Sequence, residues 1–137
     1  MGESSLHTSL VLKICSWVKK EEELSRDKIN ILIDLPGTIP SNLPAIINNF
    51  RPDFYAKVLP NGRTYIGEAK TGKDLETSHS RRQIRSFLHH LSSYHEPVFV
   101  IAVPWDVANS AKSLIRKIKK EIKANKVFVK VLDIISV

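Results

Sequence analysis

Hydrophobic residues recur every three or four positions in three segments of the chain, and they alternate with polar residues or run together in five others. The first spacing predicts amphipathic helices, and the second predicts strands. Helices are expected over residues 4 or 5 to 20, 80–94 and 106–124. Strands are expected over residues 29–35, on both sides of residues 61 and 62, and over 98–103 and 127–135. The predicted order is therefore helix, three strands, helix, strand, helix, strand.

This order, within 137 residues, indicates one α/β domain spanning 1–137, with a mixed central sheet flanked by helices. Two stretches lack a clear period. Residues 37–50 contain Pro40 and Pro44 and are expected to form a long loop with one helical turn near 43–48. Residues 71–79 form a polar stretch between the hairpin and the second helix, and Asp106 is expected to cap the third helix.

The pair Asn61-Gly62, flanked by strand-forming residues, is the strongest local signal in the chain. A two-residue loop would place Lys57 opposite Ile66, Tyr55 opposite Glu68, and Asp53 opposite Lys70. Opposed residues share a face of the sheet, as do residues two apart on one strand. Asp53, Glu68 and Lys70 are therefore expected to project from the same side of the hairpin.

Two carboxylates beside an ammonium group suit the hydrolysis of a phosphodiester. Carboxylates bind Mg²⁺, a hard cation that prefers oxygen ligands. A bound metal lowers the pKa of its water, and a nearby lysine can orient that water or stabilise developing charge. The competing interpretation is a surface hairpin with an ordinary cross-strand Asp–Lys pair, which contributes little to the stability of the fold.

The residues Pro52-Asp53, followed across a hairpin by Glu68-Ala69-Lys70, resemble the signature of the PD-(D/E)XK nuclease superfamily. The resemblance implies a restriction-endonuclease-like core of order αβββαβ, here with a further αβ unit. It also implies an Mg²⁺-dependent nuclease in which Mn²⁺ can substitute. Asp53, Glu68 and the Ala69 carbonyl would bind the metal, and Lys70 would position or activate the attacking water.

Two further positions resemble the RecB-like and lambda-exonuclease-like branches of this family. Gln83 stands four residues before Phe87, similar to a Gln-x-x-x-Tyr element whose glutamine reaches the active site. His7, beside the buried stripe of the first helix, is similar to a histidine metal ligand of the RecB-like branch. Each has a plainer interpretation, as a polar residue at a helix rim and as a structural histidine. Glu3 and the run 21–23 compete with His7 as the additional ligand.

The formal charge of +7 and the isoelectric point near 9.6 favour an anionic partner. DNA is the expected substrate, with RNA as the second choice, because most of the resembled family acts on DNA. The candidate phosphate-binding residues are basic positions on the hairpin and at the start of the second helix: Lys57, Arg63, Arg81, Arg82 and Arg85. A solvated basic surface is the alternative.

The remaining features narrow the class of protein. One cysteine excludes an intrachain disulfide, and no apolar run approaches the roughly 20 residues of a membrane span. The start of the chain lacks the pattern of a signal peptide, so an intracellular, cytoplasmic protein is expected. A homodimer is expected if so small a domain cuts both strands. The alternative functions are a non-catalytic nucleic-acid-binding module and a protein-interaction subunit on the same fold.

Overall fold

The computed structural model describes residues 5–24 and 28–135. The helices are α1 (Ser5–Glu21), α2 (Gly72–Leu75), α3 (Ser78–Leu91) and α4 (Ala108–Ile122). The strands are β1 (Lys28–Ile33), β2 (Phe54–Leu59), β3 (Thr64–Ala69), β4 (Pro97–Pro104) and β5 (Phe128–Ile134). Short 3₁₀ turns occur at Pro40–Asn42 and Trp105–Val107. The predicted order of the main elements is confirmed, and Ser4, one of the two predicted starts of α1, lies outside the described residues.

The five strands form one sheet in the order β1-β2-β3-β4-β5. Strands β1, β2 and β3 pair antiparallel, and β3, β4 and β5 pair parallel. The prediction of an α/β fold with a mixed sheet is therefore confirmed. Every residue of β4 is buried, as its continuous apolar sequence indicated for a central strand.

Each face of the sheet is covered by helices. On one face α1 buries Leu10, Ile14 and Val18 against the sheet, and on the other α3 and α4 enclose a second core. The apolar stripe of α3, formed by Ile84, Phe87, Leu88 and Leu91, is buried. Gly67 in β3 allows α1 to approach closely, because a Cβ there would lie 2.8 Å from the Ile14 side chain. This approach brings the start of α1 toward the end of β3.

The predicted register of the hairpin is wrong by two residues. Tyr55 lies opposite Ile66, and Lys57 lies opposite Thr64. The loop is longer on its first side, since the Val58 N–H donates to the Arg63 carbonyl at 3.0 Å and closes the hairpin there. The cause is Pro60, which has no N–H to donate and so cannot form the closing pair of a two-residue loop. A shift of two residues keeps each side chain on its predicted face.

Two smaller predictions are also wrong. The helical turn expected at 43–48 is absent, because Asn48 and Asn49 adopt positive φ angles of 49° and 73°, which a right-handed helix does not allow. Asp106 does not cap α4, since the 3₁₀ turn continues into the helix and Val107 occupies the cap position. The polar stretch 71–79 contains α2 and the start of α3, with Thr77 accepting a bond from the Ser80 N–H at 3.0 Å.

Within the two described ranges, no helix combines the length and the apolar character that crossing a bilayer requires.

Candidate active site

Asp53, Glu68 and Lys70, called the carboxylate cluster below, lie at one end of the strands. Asp53 directly precedes β2, whereas Glu68 is near the end of β3 and Lys70 follows it. Because β2 and β3 are antiparallel, the start of one meets the end of the other. The carboxyl ends of β4 and β5 lie at the same end of the sheet. Ligands of open α/β sheets bind outside the carboxyl ends of the strands. The Lys70 N–H donates to the Ala102 carbonyl at 3.0 Å, which holds Lys70 beside β4.

The backbone of each strand fixes the carboxylate of the other. The Asp53 N–H donates to Glu68 Oε1 at 3.0 Å, and the Ala69 N–H donates to Asp53 Oδ2 at 2.9 Å. The Asp53 carbonyl in turn accepts from the Asp34 N–H at 2.9 Å. The two carboxylates are therefore held close together without depending on flexible side-chain contacts. Asp34 lies within the strand predicted over residues 29–35, and its bond extends the pairing of β1 with β2 by one residue.

Lys70 joins the carboxylates to α3. Its Nζ lies 3.5 Å from Glu68 Oε2 and donates a hydrogen bond to Gln83 Oε1. The side chains of Lys70 and Glu68 are only 9% and 3% exposed. The structure thus brings Gln83 to the carboxylate cluster. Phe87, one turn further along α3, is fully buried in the core and does not line the site.

Burial raises the pKa of the Glu68 carboxyl well above its ordinary value, and the negative charge of Asp53 raises it further. Lys70 and the hydrogen bond from Asp53 act in the opposite direction but do not offset the effect. One ammonium is therefore too little positive charge for two adjacent, largely buried carboxylates. The site is suited to receive a further cation.

We expect the stability of the metal-free protein to fall as pH rises from the ordinary carboxyl pKa near 4.5 through the raised pKa of Glu68. In that window the folded protein holds a proton that the unfolded chain has lost, so stability decreases with pH. Below the window both states are protonated and the effect vanishes. The groups that face Glu68 are Asp53 and Lys70, with His7 on the far side of Asp53. The melting temperature of Glu68→Gln minus that of wild type, in EDTA, should therefore grow with pH. A constant difference would contradict the expectation.

His7 reaches the same site from α1. Its Nε2 lies 3.5 Å from Asp53 Oδ1, and the two side chains are 17% and 16% exposed. Of the competing positions, Glu3 lies outside the described residues. Glu22 is at the far end of α1, where it pairs with Arg63 at 3.0 Å and accepts a hydrogen bond from Tyr65. His7 is therefore the described α1 residue that could share a cation with Asp53.

If His7 helps to hold a metal ion, His7→Ala should raise the metal concentration needed for half-maximal activity by about 10- to 100-fold, the effect typical of lost supporting contacts. The melting temperature in EDTA should change little. His95→Ala, at an exposed histidine, is the matched control. A fall in stability with an unchanged metal requirement would show that His7 has only a structural role.

The ligand atoms of the carboxylate cluster suit a hard divalent cation. Within 5–24 and 28–135, no group of three or more His, Cys, Asp or Glu side chains is arranged to hold a metal ion. Mg²⁺, however, keeps several of its waters and is commonly bound by one or two carboxylates. Asp53 and Glu68 supply such a pair, and the undercompensated charge at Glu68 favours a cation there. The residues present therefore fit Mg²⁺ or Mn²⁺.

The candidate phosphate-binding residues separate into two groups. Arg81 and Arg82 are exposed on α3, directly before Gln83 in the sequence, and Arg85 is exposed and pairs with Glu121 at 3.2 Å. Lys57 and Arg63 are not brought to the site. Lys57 is four strand residues from Asp53, about 13 Å, and its Nζ lies 5.1 Å from the Tyr94 ring centroid.

A further group of basic residues lies on α4 and β5, within residues 112–130. Their sequence is compatible with phosphate contacts and equally with a solvated helix face.

Comparison with solved structures found a similar fold in SfsA from Pyrococcus furiosus, solved in complex with Ca²⁺. The TM-score is 0.51 at 15% sequence identity, and the match covers 90% of this chain. The chain spans 56% of the length of SfsA. No protein-family model and no curated protein matches this sequence. The likeness shows a shared fold.

Proposed function

We propose that this protein is a metal-dependent nuclease that hydrolyses phosphodiester bonds, with DNA as its substrate, on a restriction-endonuclease-like fold of the PD-(D/E)XK kind. The observation that carries the proposal is the carboxylate cluster. Two carboxylates, fixed by each other's backbone, adjoin a buried lysine that is itself held by a glutamine from α3. A cross-strand pair on an ordinary surface hairpin would not be buried, and its lysine would remain in water.

Asp53 and Glu68 would hold the cation, together with the Ala69 carbonyl and with His7 as a neighbour of Asp53. When bound, Mg²⁺ would neutralise charge on the scissile phosphate and lower the pKa of a coordinated water. SfsA, with its similar fold, was solved with Ca²⁺, which likewise prefers oxygen ligands. This agrees with the oxygen-rich donor set of the present site.

Lys70 is placed to act on the reacting groups. Its ammonium has three donors, of which one is directed to Gln83 and one faces Glu68. The remaining donor can orient the attacking water or stabilise charge on the phosphate oxygens. Gln83 acts as a positioning residue, because its carbonyl oxygen accepts from Lys70 and restricts the ammonium.

Arg81 and Arg82 would contact the substrate backbone beside the carboxylate cluster. They are the fourth and fifth residues of α3, where both side chains are exposed and the charge of their guanidinium groups favours a phosphate. Phosphate contacts of this kind position a strand and read no sequence. The arrangement therefore supports binding of the substrate but does not define a recognition sequence.

The proposal is tested by incubating the protein with supercoiled, linear, single-stranded and branched DNA, and with RNA, in Mg²⁺, Mn²⁺ or EDTA. Cleavage of DNA that requires the divalent cation is the expected result. Binding of DNA without cleavage in either metal would instead identify a non-catalytic nucleic-acid-binding module. Cleavage confined to RNA would overturn the choice of substrate.

A further inference from the structure

The net positive charge of the chain is concentrated on α4 and the connection into β5. Residues 108–130 hold eight Lys or Arg and one Glu, a net charge of +7, which equals the formal charge of the whole chain. The other positions hold thirteen basic and thirteen acidic residues and sum to zero. The net charge of this protein is therefore carried by one segment, most of whose basic residues lie on the surface of α4 and β5.

Part of this surface is a concave groove between α4 and β5, called the edge groove below. Its polar and aromatic lining consists of Lys112, Arg116, Lys119, Lys120, Phe128 and Lys130. The one acidic residue of the region, Glu121, is paired with Arg85 of α3 at 3.2 Å. Within the described part of the chain, no carboxylate forms an ion pair with a cation of the edge groove.

The spacing of these cations opposes folding. Lys112, Arg116 and Lys120 follow one another at intervals of four residues, so like charges face each other along α4, which destabilises a helix. The favourable interaction of lysines with the helix dipole is confined to the last turn, and so it does not explain Lys112 or Arg116. A bound polyanion would relieve this repulsion.

Phe128 adds an aromatic surface to the charge. Its side chain is 59% exposed at the start of the edge strand β5, where burial in the core would be expected of a ring of this size. It lines the edge groove and also a second hollow that contains Trp17 and Lys126. Nucleic acids with unpaired bases are bound by this combination of a basic groove and an exposed ring on which a base can stack.

The α4 side of the edge groove lies beyond the proposed active site, on the same face of the sheet. Phe128 and Lys130 alternate with Val129 and Val131, so they project around the edge strand toward the α1 face, where Lys130 Nζ lies 5.9 Å from the Trp17 ring centroid. In the strand pairing, Glu68 is in register with Ile101 and Ile101 with Val131. Val131 lines the groove, so the groove begins two strands from Glu68, about 10 Å away. It then follows α4 away from the carboxylate cluster.

We propose that the edge groove binds an unpaired nucleic-acid strand, with its lysines and Arg116 on the phosphates and Phe128 stacked on a base. The inference deepens the proposed function, on which it rests for the class of ligand. It assigns a second contact surface, separate from the arginines at the start of α3. A duplex would use the cations but not Phe128, since its bases are not free to stack. The exposed ring therefore favours a single-stranded segment.

The test is fluorescence anisotropy of a labelled oligothymidine, titrated with the full chain in EDTA over a range of salt concentrations. Lys119→Ala/Lys120→Ala should weaken binding and flatten the log–log salt slope by about 1.4, at roughly 0.7 per phosphate contact on a single strand. Phe128→Ala should weaken binding by about 5- to 150-fold, the range for loss of one stacked base. Binding of a labelled duplex should change much less in Phe128→Ala.

The matched control is Lys13→Ala/Lys20→Ala, which removes the same charge from exposed positions on α1, on the opposite face of the sheet. An equal effect of both double variants would overturn the proposal in favour of nonspecific attraction. Unchanged oligothymidine binding in Phe128→Ala, with its melting temperature preserved, would overturn the stacking contact. Binding to phosphatidylserine vesicles in place of the oligonucleotide would also overturn it.

The assay separates this inference from the proposed function because EDTA suppresses metal-dependent cleavage. A protein that binds oligothymidine through the edge groove but cleaves no DNA in Mg²⁺ or Mn²⁺ would refute the nuclease and support the groove. If the protein cleaves DNA but binds oligothymidine equally well after Lys119, Lys120 and Phe128 are replaced, the nuclease is supported and the role of the edge groove is refuted.

Discussion

Glu68→Gln and Asp53→Asn should each lower metal-dependent DNA cleavage by at least about 10²–10³-fold, the range observed when one preorganised electrostatic contact is lost at a reacting centre. Each change removes one negative charge and leaves the shape and the hydrogen-bond acceptor in place. The Asp53 N–H can still donate to the amide oxygen at position 68, and the Ala69 N–H to that at position 53. The measurement is kcat/KM at saturating Mg²⁺.

Stability in EDTA distinguishes loss of the metal site from loss of the fold. Glu68→Gln should melt at or above the wild-type temperature at neutral pH, because the neutral amide does not repel Asp53. Addition of Mg²⁺ should raise the melting temperature of wild type but not of Glu68→Gln, since ligands stabilise only the state that binds them. Glu23→Gln, the same change at an exposed position just after α1, is the control. Near wild-type cleavage in both site variants would refute the carboxylate pair as the metal site.

The placement of Asp53 and Glu68 on one face of the sheet was predictable from the sequence, because it depends only on the alternation of side chains along each strand. Side chains alternate across a strand, so an error of two residues in the hairpin register leaves Asp53 and Glu68 on the same face. The neighbouring pairs Tyr55–Ile66 and Phe54–Gly67 show the shift. The sequence also contained its cause, since Pro60 cannot supply the N–H that a two-residue loop requires.

The order of helices and strands was predictable for a related reason. Long amphipathic helices and continuous apolar strands bury their hydrophobic faces in almost any tertiary context, and so α1, α3 and β4 appear where the pattern placed them. Short polar segments are different. The turn at Pro40–Asn42 and helix α2 are defined by single capping and loop contacts, and those contacts have no period in the sequence.

The contacts that give the site its chemistry could not be derived from local pattern. Gln83 reaches Lys70 only because α3 crosses the sheet beside the end of β3, and His7 reaches Asp53 only because Gly67 lets α1 approach. The raised pKa of Glu68 likewise follows from burial by residues distant in sequence. Family resemblance indicated Gln83 and His7, and the structure supplies the physical contacts.

The concentration of basic residues was visible in the sequence, but the groove that they line was not predictable from it. A helix with many lysines is usually a solvated face, and only the fold shows that β5 completes a groove beside α4. Phe128 is the residue that changes the interpretation. Its position in a predicted strand indicates a buried core residue, whereas in the structure its ring is exposed on the edge strand β5.

Lys70→Met should lower the cleavage rate by about 10²-fold or more while leaving the metal requirement unchanged, because the proposed role of Lys70 is to act on the reacting groups and not to bind the metal. The variant also affects stability. It removes the one ammonium that faces the buried Glu68, and breaking a buried pair from one side costs about 3–5 kcal/mol. Uptake of a proton by Glu68 reduces that cost, so the loss of stability in EDTA should be largest at high pH and smallest in acid.

A double-mutant cycle separates the two roles of Lys70. In Lys70→Met/Glu68→Gln the unpaired carboxylate is gone, so the melting temperature in EDTA should recover relative to Lys70→Met, whereas cleavage should not. Lys70→Arg keeps the charge but presents a planar fork in place of a compact ammonium. It should restore stability more fully than rate. Lys20→Met, at an exposed position, is the control. If Lys70→Met cleaves at the wild-type rate whenever it is folded, Lys70 serves only to hold Glu68, and the attacking water must be oriented by another group.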